Sequence, residues 1–235
     1  MKKPVAPGRI SALAVAADTI TEALVADKRP RGRPRKTADE RDEGNRRVGL
    51  LHAAARLFRE KGFAATSTRD IAAAVGMRSG SPFYHFESKG ALLYAVMEQG
   101  MQAALRRQAA ALQVAESSAP DASALLRVLI RNHFEVLLGP GSDFVPVTLY
   151  ESRSLTAQQR GALASLRSDY EGVWVPVLEA LSATGRLKGP VKLARLLILG
   201  ALNWAVQWFD ANKPATLDDL TDAAMALFVQ EPSSP

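Results

Sequence analysis

The sequence has no cysteine, which excludes a disulfide scaffold, a thiol nucleophile and any cysteine-ligated zinc or iron–sulfur centre. Histidine is nearly as scarce: His52, His85 and His133 are the only three, and no two stand at metal-binding spacing. The longest uncharged, mainly apolar run, Leu196 to Phe209, has 14 residues and is too short to span a bilayer. The stretch after Met1-Lys2-Lys3 carries Asp18 and Glu22, so it reads poorly as a signal peptide. A soluble, reduced, cytoplasmic protein without membrane contact is the expectation. What is present suffices for a buried core. The 235 residues, 47% hydrophobic, suit one compact domain or a small domain joined to a larger one.

Positive charge is concentrated at the front. The net charge is +6, yet residues 1–47 hold 12 Lys/Arg against 7 Asp/Glu and residues 48–90 hold 6 against 3. Residues 91–235 reverse the balance, with 12 against 14. This is the footprint of a polyanion-binding front end on a body with another task. A basic, solvated tail without a partner accounts for the asymmetry equally well.

Residues 1–45 read as a disordered basic arm. Its centre, Lys28-Arg29-Pro30-Arg31-Gly32-Arg33-Pro34-Arg35-Lys36, is too rich in proline for a helix and should be extended. Upstream, Ile10, Leu13, Ala17, Thr21, Leu24 and Val25 repeat at helical spacing, which fits either a short amphipathic helix or sequence translated ahead of the real start. From Asn45 onward helix follows helix. Val48, Leu51, Ala55 and Phe58 form one stripe of a helix over 46–61 closed by Gly62. Ser67 and Asp70 have capping-box spacing ahead of a short helix, 66–75, that Gly76 ends. Gly80-Ser81-Pro82 announces another, 81–86, with serine as cap and proline at its first position. A fourth opens near Lys89.

The rest, 91–230, shows no convincing alternating strand. Helices are expected around Leu125–Leu137, from Leu163 to Leu181 with a bend at Pro176, over 191–209 and over 217–228, with 231–235 a frayed tail. The helix after Val191 is apolar nearly all round, so both its sides should be buried. The fold class predicted is all-α, about nine helices.

A short helix, a glycine-containing turn and a second short helix, after an amphipathic one, are the parts of a helix-turn-helix DNA reader. By shape alone they suit any helical hairpin. The residues go further. Gly62-Phe63-Ala64-Ala65-Thr66-Ser67-Thr68-Arg69-Asp70-Ile71-Ala72 and Gly76-Met77-Arg78-Ser79-Gly80-Ser81-Pro82-Phe83-Tyr84-His85-Phe86-Glu87-Ser88-Lys89 resemble the DNA-binding domain of the TetR/AcrR family of transcriptional regulators, over residues 46–95. The resemblance implies an all-helical homodimer with the DNA reader at 46–90 and an effector-binding and dimerisation domain at 91–230. It implies a repressor that a small molecule releases from its operator. Phe83 stands where the family commonly has tyrosine and cannot donate to a phosphate, a task that Tyr84 can take; Pro82 replaces a usual leucine.

DNA contacts are expected from Thr66 or Ser67 at the start of the bracing helix, and from Arg78, Ser79, Ser81, Phe83 and Tyr84 on and before the recognition helix. By resemblance Lys89 reaches a backbone phosphate. His85 and Phe86 are expected to pack the recognition helix, and His52 to be structural or solvated. Arg31-Gly32-Arg33-Pro34 resembles an AT-hook, in which Arg31 and Arg33 would enter the narrow minor groove of A·T-rich DNA.

In the body, Asn132, His133, Tyr150, Arg153 and Asn203 are the polar candidates for an effector site and Trp174 an aromatic one, although most such residues serve as core. A partner copy is the natural cover for the helices over 190–209 and 217–230. The stretch Gly200–Phe209, after Thr184-Gly185-Arg186-Leu187, is similar to TetR-type regulators of fatty-acid or steroid degradation, several of which respond to acyl-CoA thioesters. That makes an acyl-CoA one candidate effector, beside aromatic drugs and quorum signals. The alternative function is a constitutive architectural protein of A·T-rich DNA using the basic arm. An enzyme is disfavoured, since no activated nucleophile, supported carboxylate pair, metal cluster or phosphate loop is visible; no cofactor is expected.

Overall fold

The computed structural model describes residues 38–77, 82–187 and 189–230, and among these it is helical without a strand. The chain divides into two units, Met1–Asp42 and Glu43–Pro235. All the helices belong to the second, apart from the opening residues of the first helix. In order they are α1 (Ala38–Lys61), α2 (Thr68–Ala74), α3 (Pro82–His85), α4 (Lys89–Glu116), α5 (Ala122–Leu138), α6 (Phe144–Tyr150), α7 (Ala157–Gly172), α8 (Trp174–Ala183), α9 (Val191–Trp204) and α10 (Leu217–Phe228). Single 3-10 turns sit at Ser152–Ser154 and Ala205–Gln207. None of these helices is long and apolar enough to cross a membrane.

Two apolar cores hold the second unit together. The first joins Leu50, Leu51, Ala54 and Phe58 of α1 to Ile71, Phe86, the first half of α4, and Phe144 and Val147 of α6; it reaches Tyr170 on α7. The second gathers Leu126, Leu129 and Ile130 of α5 with Trp174, Leu178, Ile198, Leu202 and Leu220. Each fully buried Phe, Leu or Ile in these clusters contributes about 1.5–3 kcal/mol of transfer free energy. Of the stripe read on α1, Leu51, Ala55 and Phe58 are buried, while Val48 is 48% exposed.

Several boundaries have local causes. Thr156 and Thr216 each accept a hydrogen bond from the backbone N–H three residues on, and the residues there, Gln159 and Asp219, return one, so α7 and α10 start on capping boxes. The expected bend at Pro176 is a break between α7 and α8 at Val173. Proline has no N–H for the carbonyl four residues back, which belongs to Gly172, where α7 ends. The helix expected over 191–209 ends at Trp204 and tightens into the 3-10 turn. It also departs from burial on both sides. Ile198, Leu199 and Leu202 are buried, but Leu193, Leu196, Leu197 and Trp204 are half or more exposed, as are Trp208 beyond it and Leu227 of α10. An amphipathic helix of the isolated chain therefore carries a second apolar stripe facing outward.

Candidate nucleic-acid interface

The reader is α1, α2 and α3, closed by the start of α4. Helix α2 begins where Ser67 Oγ accepts from the Asp70 N–H at 3.1 Å, and Asp70 Oδ2 accepts from the Ser67 N–H at 2.9 Å. These bonds to Ser67, first its hydroxyl, hold the Asp70 carboxyl below its ordinary range. The other end closes on Gly76, whose φ of +68° suits a residue without Cβ. The Met77 N–H donates to Ala72 O (2.9 Å) and the Gly76 N–H to Ala73 O (3.1 Å), the two bonds of a Schellman motif. The end of α2 is thus set by Gly76 and the two bonds that close on it. Ile71 and Ala72 are fully buried and press α2 onto α1.

Helix α3 opens on Pro82 and projects Tyr84, which is 90% exposed. Phe86, just after it, is buried, with the Arg47 guanidinium 5.0 Å from its ring centroid. His85 is half-buried. The expected division of labour between an outward Tyr84 and a packing Phe86 is what this geometry has. Phe83 lies on α3; Arg78, Ser79 and Ser81, like Arg31 and Arg33, lie outside the described residues.

Two expected phosphate ligands have other work. Thr66 is 1% exposed, and its hydroxyl donates to Gly62 O at 2.8 Å, with Leu57 O at 3.2 Å. A buried hydroxyl turned to the end of α1 is a strut, not a surface contact, so of the Thr66–Ser67 pair only Ser67 is exposed. Lys89 is half-buried and donates to Phe63 O (2.8 Å) and Thr66 O (2.9 Å), its ammonium 4.2 Å from the Phe63 ring centroid. That engages two of its three protons.

The same loop is held from the body. Glu151 Oε1, just past α6, accepts from the Phe63 N–H at 2.8 Å, and Arg59 pairs with Asp143, just before α6, at 2.9 Å. Phe144 meets the edge of His52 with ring centroids 4.9 Å apart. At the far end of α6, Gln207 Nε2 donates to the Tyr150 hydroxyl at 2.6 Å. Short as it is, α6 with the residue on either side of it touches the reader at three points and the 3-10 turn after α9 at a fourth. Glu151, Asp143 and Gln207 carry no sequence signal, because each acts on a partner 57 to 88 residues away.

Of the effector candidates, four come together. His133 and Asn132 are each 5% exposed and Trp174 is fully buried. His133 Nε2 lies 3.1 Å from Asn203 Oδ1 and Nδ1 lies 3.0 Å from the Tyr170 hydroxyl. Since the amide oxygen only accepts, the imidazole proton sits on Nε2, and Nδ1 accepts from Tyr170. Burial drives the His133 pKa down to about 4, the Asn203 bond opposing it, so the ring is neutral. Burial also pushes the Tyr170 phenol up. Trp174 meets His133 edge-on at 5.8 Å. Asn132 lies near enough to Tyr170 to favour its ionised form slightly, yet its amide nitrogen makes no hydrogen bond of ordinary geometry. Tyr150 and Arg153 stand elsewhere: Tyr150 is 49% exposed in a groove between the end of α1, α6 and the 3-10 turn at Ala205–Gln207, and Arg153 is exposed on the 3-10 turn at Ser152–Ser154. Tyr170, which lies within the helix expected from Leu163 to Leu181 and is not among the sequence candidates, is the missing member of the cluster.

Comparison with known proteins bears on this arrangement. Residues 50–96 match the family model of bacterial regulatory proteins, tetR family, and residues 119–231 that of the tetracyclin repressor-like C-terminal domain. The chain is 28% identical over 207 residues to the HTH-type transcriptional repressor KstR2 of Rhodococcus jostii (strain RHA1), covering 86% of this chain and 98% of that one. It shares 37% identity with the superantigen PfiT, covering 78% of this chain and 96% of the other at a TM-score of 0.64. The fold also matches AibR, solved with isovaleryl coenzyme A and operator DNA, at 23% identity, 78% and 97% coverage and a TM-score of 0.70. With a helix-turn-helix reader at one end and the repressor-like domain over most of the remainder, the chain belongs to the TetR family of DNA-binding transcriptional regulators, which are not enzymes.

Proposed function

We propose that this regulator is a homodimeric repressor that grips a near-palindromic operator with a pair of α3 helices and releases it when a hydrophobic small molecule binds among α5, α7, α8 and α9. The observation that carries the reading is α3 itself, which presents Tyr84 to solvent while Phe86, just past its end, is buried in the first core. Ser67, Arg78, Ser79, Ser81, Phe83 and Tyr84 are the proposed base and phosphate contacts, with the remaining proton of Lys89. The repressor sense is supported by the likeness to KstR2. An acyl-CoA stays among the effector classes on the C-terminal resemblance.

Dimerisation is supported by the outward stripe of Leu193, Leu197, Trp204 and Trp208, which recurs about every turn of α9 and past Ala201, a small exposed residue that lets a second helix approach. Two readers so joined contact half-sites about one DNA turn apart. Effector binding acts only through unequal affinity for DNA-bound and released states.

The test is footprinting on the protein's own promoter, with sedimentation of Leu197→Glu beside wild type. A palindromic footprint that a metabolite abolishes, and a monomeric Leu197→Glu that leaves no footprint, are expected. Uniform protection of A·T-rich DNA, indifferent to every ligand, would replace the repressor with the architectural reading that the basic arm favours.

A further inference from the structure

Reader and body share the first apolar core, where α1 packs on α4 and α6. Apolar attraction is non-directional, so the finer angle of the reader on the body falls to contacts that have direction. These gather at the two ends of α6, with Asp143 before the helix and Glu151 after it. The Asp143–Arg59 pair is at the surface, where water and salt leave it little strength. The Glu151 bond is of another kind. Glu151 is half-buried, and its own N–H closes α6 by donating to Val147 O at 3.0 Å. Its carboxylate accepts the Phe63 N–H, a charge-assisted bond to backbone. Gly62 makes room for that approach: its φ is +82°, and a Cβ built there would stand 3.4 Å from Glu151 Oε1. The hold continues past Phe63. The carbonyls of Phe63 and Thr66 share the Lys89 ammonium, and Ser67 then caps α2.

On its other side α6 is tied to the proposed dimer face. Gln207, which donates to Tyr150, lies between Trp204 and Trp208, both more than half exposed. Gln207, Tyr150, Glu151 and Phe63 thus link the surface proposed for a second copy to the loop from which α2 starts.

We infer that Glu151 is a positioning residue of DNA recognition: it holds the reader at one angle to the body and so sets the half-site spacing that the dimer accepts. This role rests on the paired readers of the proposed function and on no effector. Spacing is a sensitive measure of that angle. One base pair more between half-sites carries a reader about 3.4 Å along the duplex and about 35° around it. Readers clasped at one angle lose contacts on such a shift, whereas readers free to swing follow it.

In the experiment, full-length wild type, Glu151→Leu, Glu151→Ser and Glu151→Gln each select duplexes from one random pool. Wild type should enrich inverted half-sites at a single spacing. Glu151→Gln, whose amide oxygen still accepts from Phe63, should do the same. Glu151→Leu has no acceptor and the Glu151→Ser hydroxyl is too short to reach, so both should enrich the same half-site over two or more spacings. On the selected duplex lengthened by one base pair, wild type should lose about tenfold or more in affinity and these two about threefold or less. Affinity for a single half-site should be unchanged throughout. A wild type that enriches no paired half-sites overturns this role together with the paired-reader reading. One sharp spacing in all four proteins, or a spread in Glu151→Gln equal to that in Glu151→Leu, overturns the role alone. So does single-half-site binding that falls along with the spacing preference, because Glu151 would then be supporting the reader's own fold. Should Glu151→Leu fold poorly, the serine and glutamine substitutions decide. No effector enters the assay, so the lack of a releasing metabolite counts against the proposed function only.

Discussion

At Phe63 three influences meet: its N–H is held by Glu151, its carbonyl by Lys89, and its ring lies between the Lys89 ammonium and Phe58. One residue of the α1–α2 loop thus receives both the body and the fourth helix. Little of this is legible in sequence. The Ser67–Asp70 box is, because both partners lie within four residues and the chemistry is local. The Glu151 bond spans 88 residues and has no periodicity to betray it. His133 offers the clearest residue-level test. Its folded pKa of about 4 lies below the ordinary 6.5, so the folded state refuses a proton that the unfolded chain accepts. The stability this neutral ring contributes is complete above pH 6.5 and is lost as the pH falls towards 4, by up to about 3 kcal/mol. Urea midpoints measured from pH 4 to 7 should fall on acidification in wild type and fall less in His133→Asn; parallel profiles would show that the imidazole is not the group responsible.

Among the elements, those whose ends are written in caps, glycines and prolines are recoverable from sequence, which is why α2, α3 and α10 stand close to where the chain's punctuation puts them, whereas α7 begins six residues ahead of the expected Leu163, at the capping box on Thr156. Helix α6 is not of that kind. Seven residues long, with Pro146 and two valines, it has weak intrinsic preference, and Phe144, Pro146 and Val147 are buried by neighbours distant in sequence. Its position depends on Gly100 of α4. A Cβ built there would stand 2.9 Å from Phe144 Cβ and 3.1 Å from its carbonyl carbon. Gly100→Ala must push α6 away, at a cost of about 1–3 kcal/mol. Gly161, exposed within α7, has nothing within 4 Å of the same point, so Gly161→Ala should stabilise by up to about 1 kcal/mol through helix preference alone. Thermal unfolding of the pair separates the two effects: Tm lowered by several degrees in the first and raised in the second, at roughly 2–4 °C per kcal/mol. Similar shifts in both would mean that α4 and α6 do not cross as closely as the structure has them.

At the scale of the whole molecule, charge distribution marks out the front end, yet the helix-turn-helix draws on little of that charge. The family match begins at residue 50, well past the basic run at 28–36, so Arg31, Arg33 and their neighbours add to a domain that is already complete without them. We propose that the arm lies in the minor groove beside the operator half-site, where glycine lets the backbone approach the floor and the arginines meet a narrow, electronegative channel. Basic residues there would add to the phosphates that the helix-turn-helix neutralises, and the added part can be read as a difference in salt slope. Each phosphate that the arm no longer neutralises reduces the slope of log K against log salt by about 0.9. Removing residues 1–36 should therefore flatten the slope, most on operators flanked by A·T pairs, while the boundaries of the central footprint stay in place. The comparison is made at several salt concentrations on A·T- and G·C-flanked duplexes of one core sequence. If truncation leaves the slope unchanged on both, the arm is a solvated tail and its charge serves no partner; if the slope flattens equally on both, it binds phosphates without entering the groove.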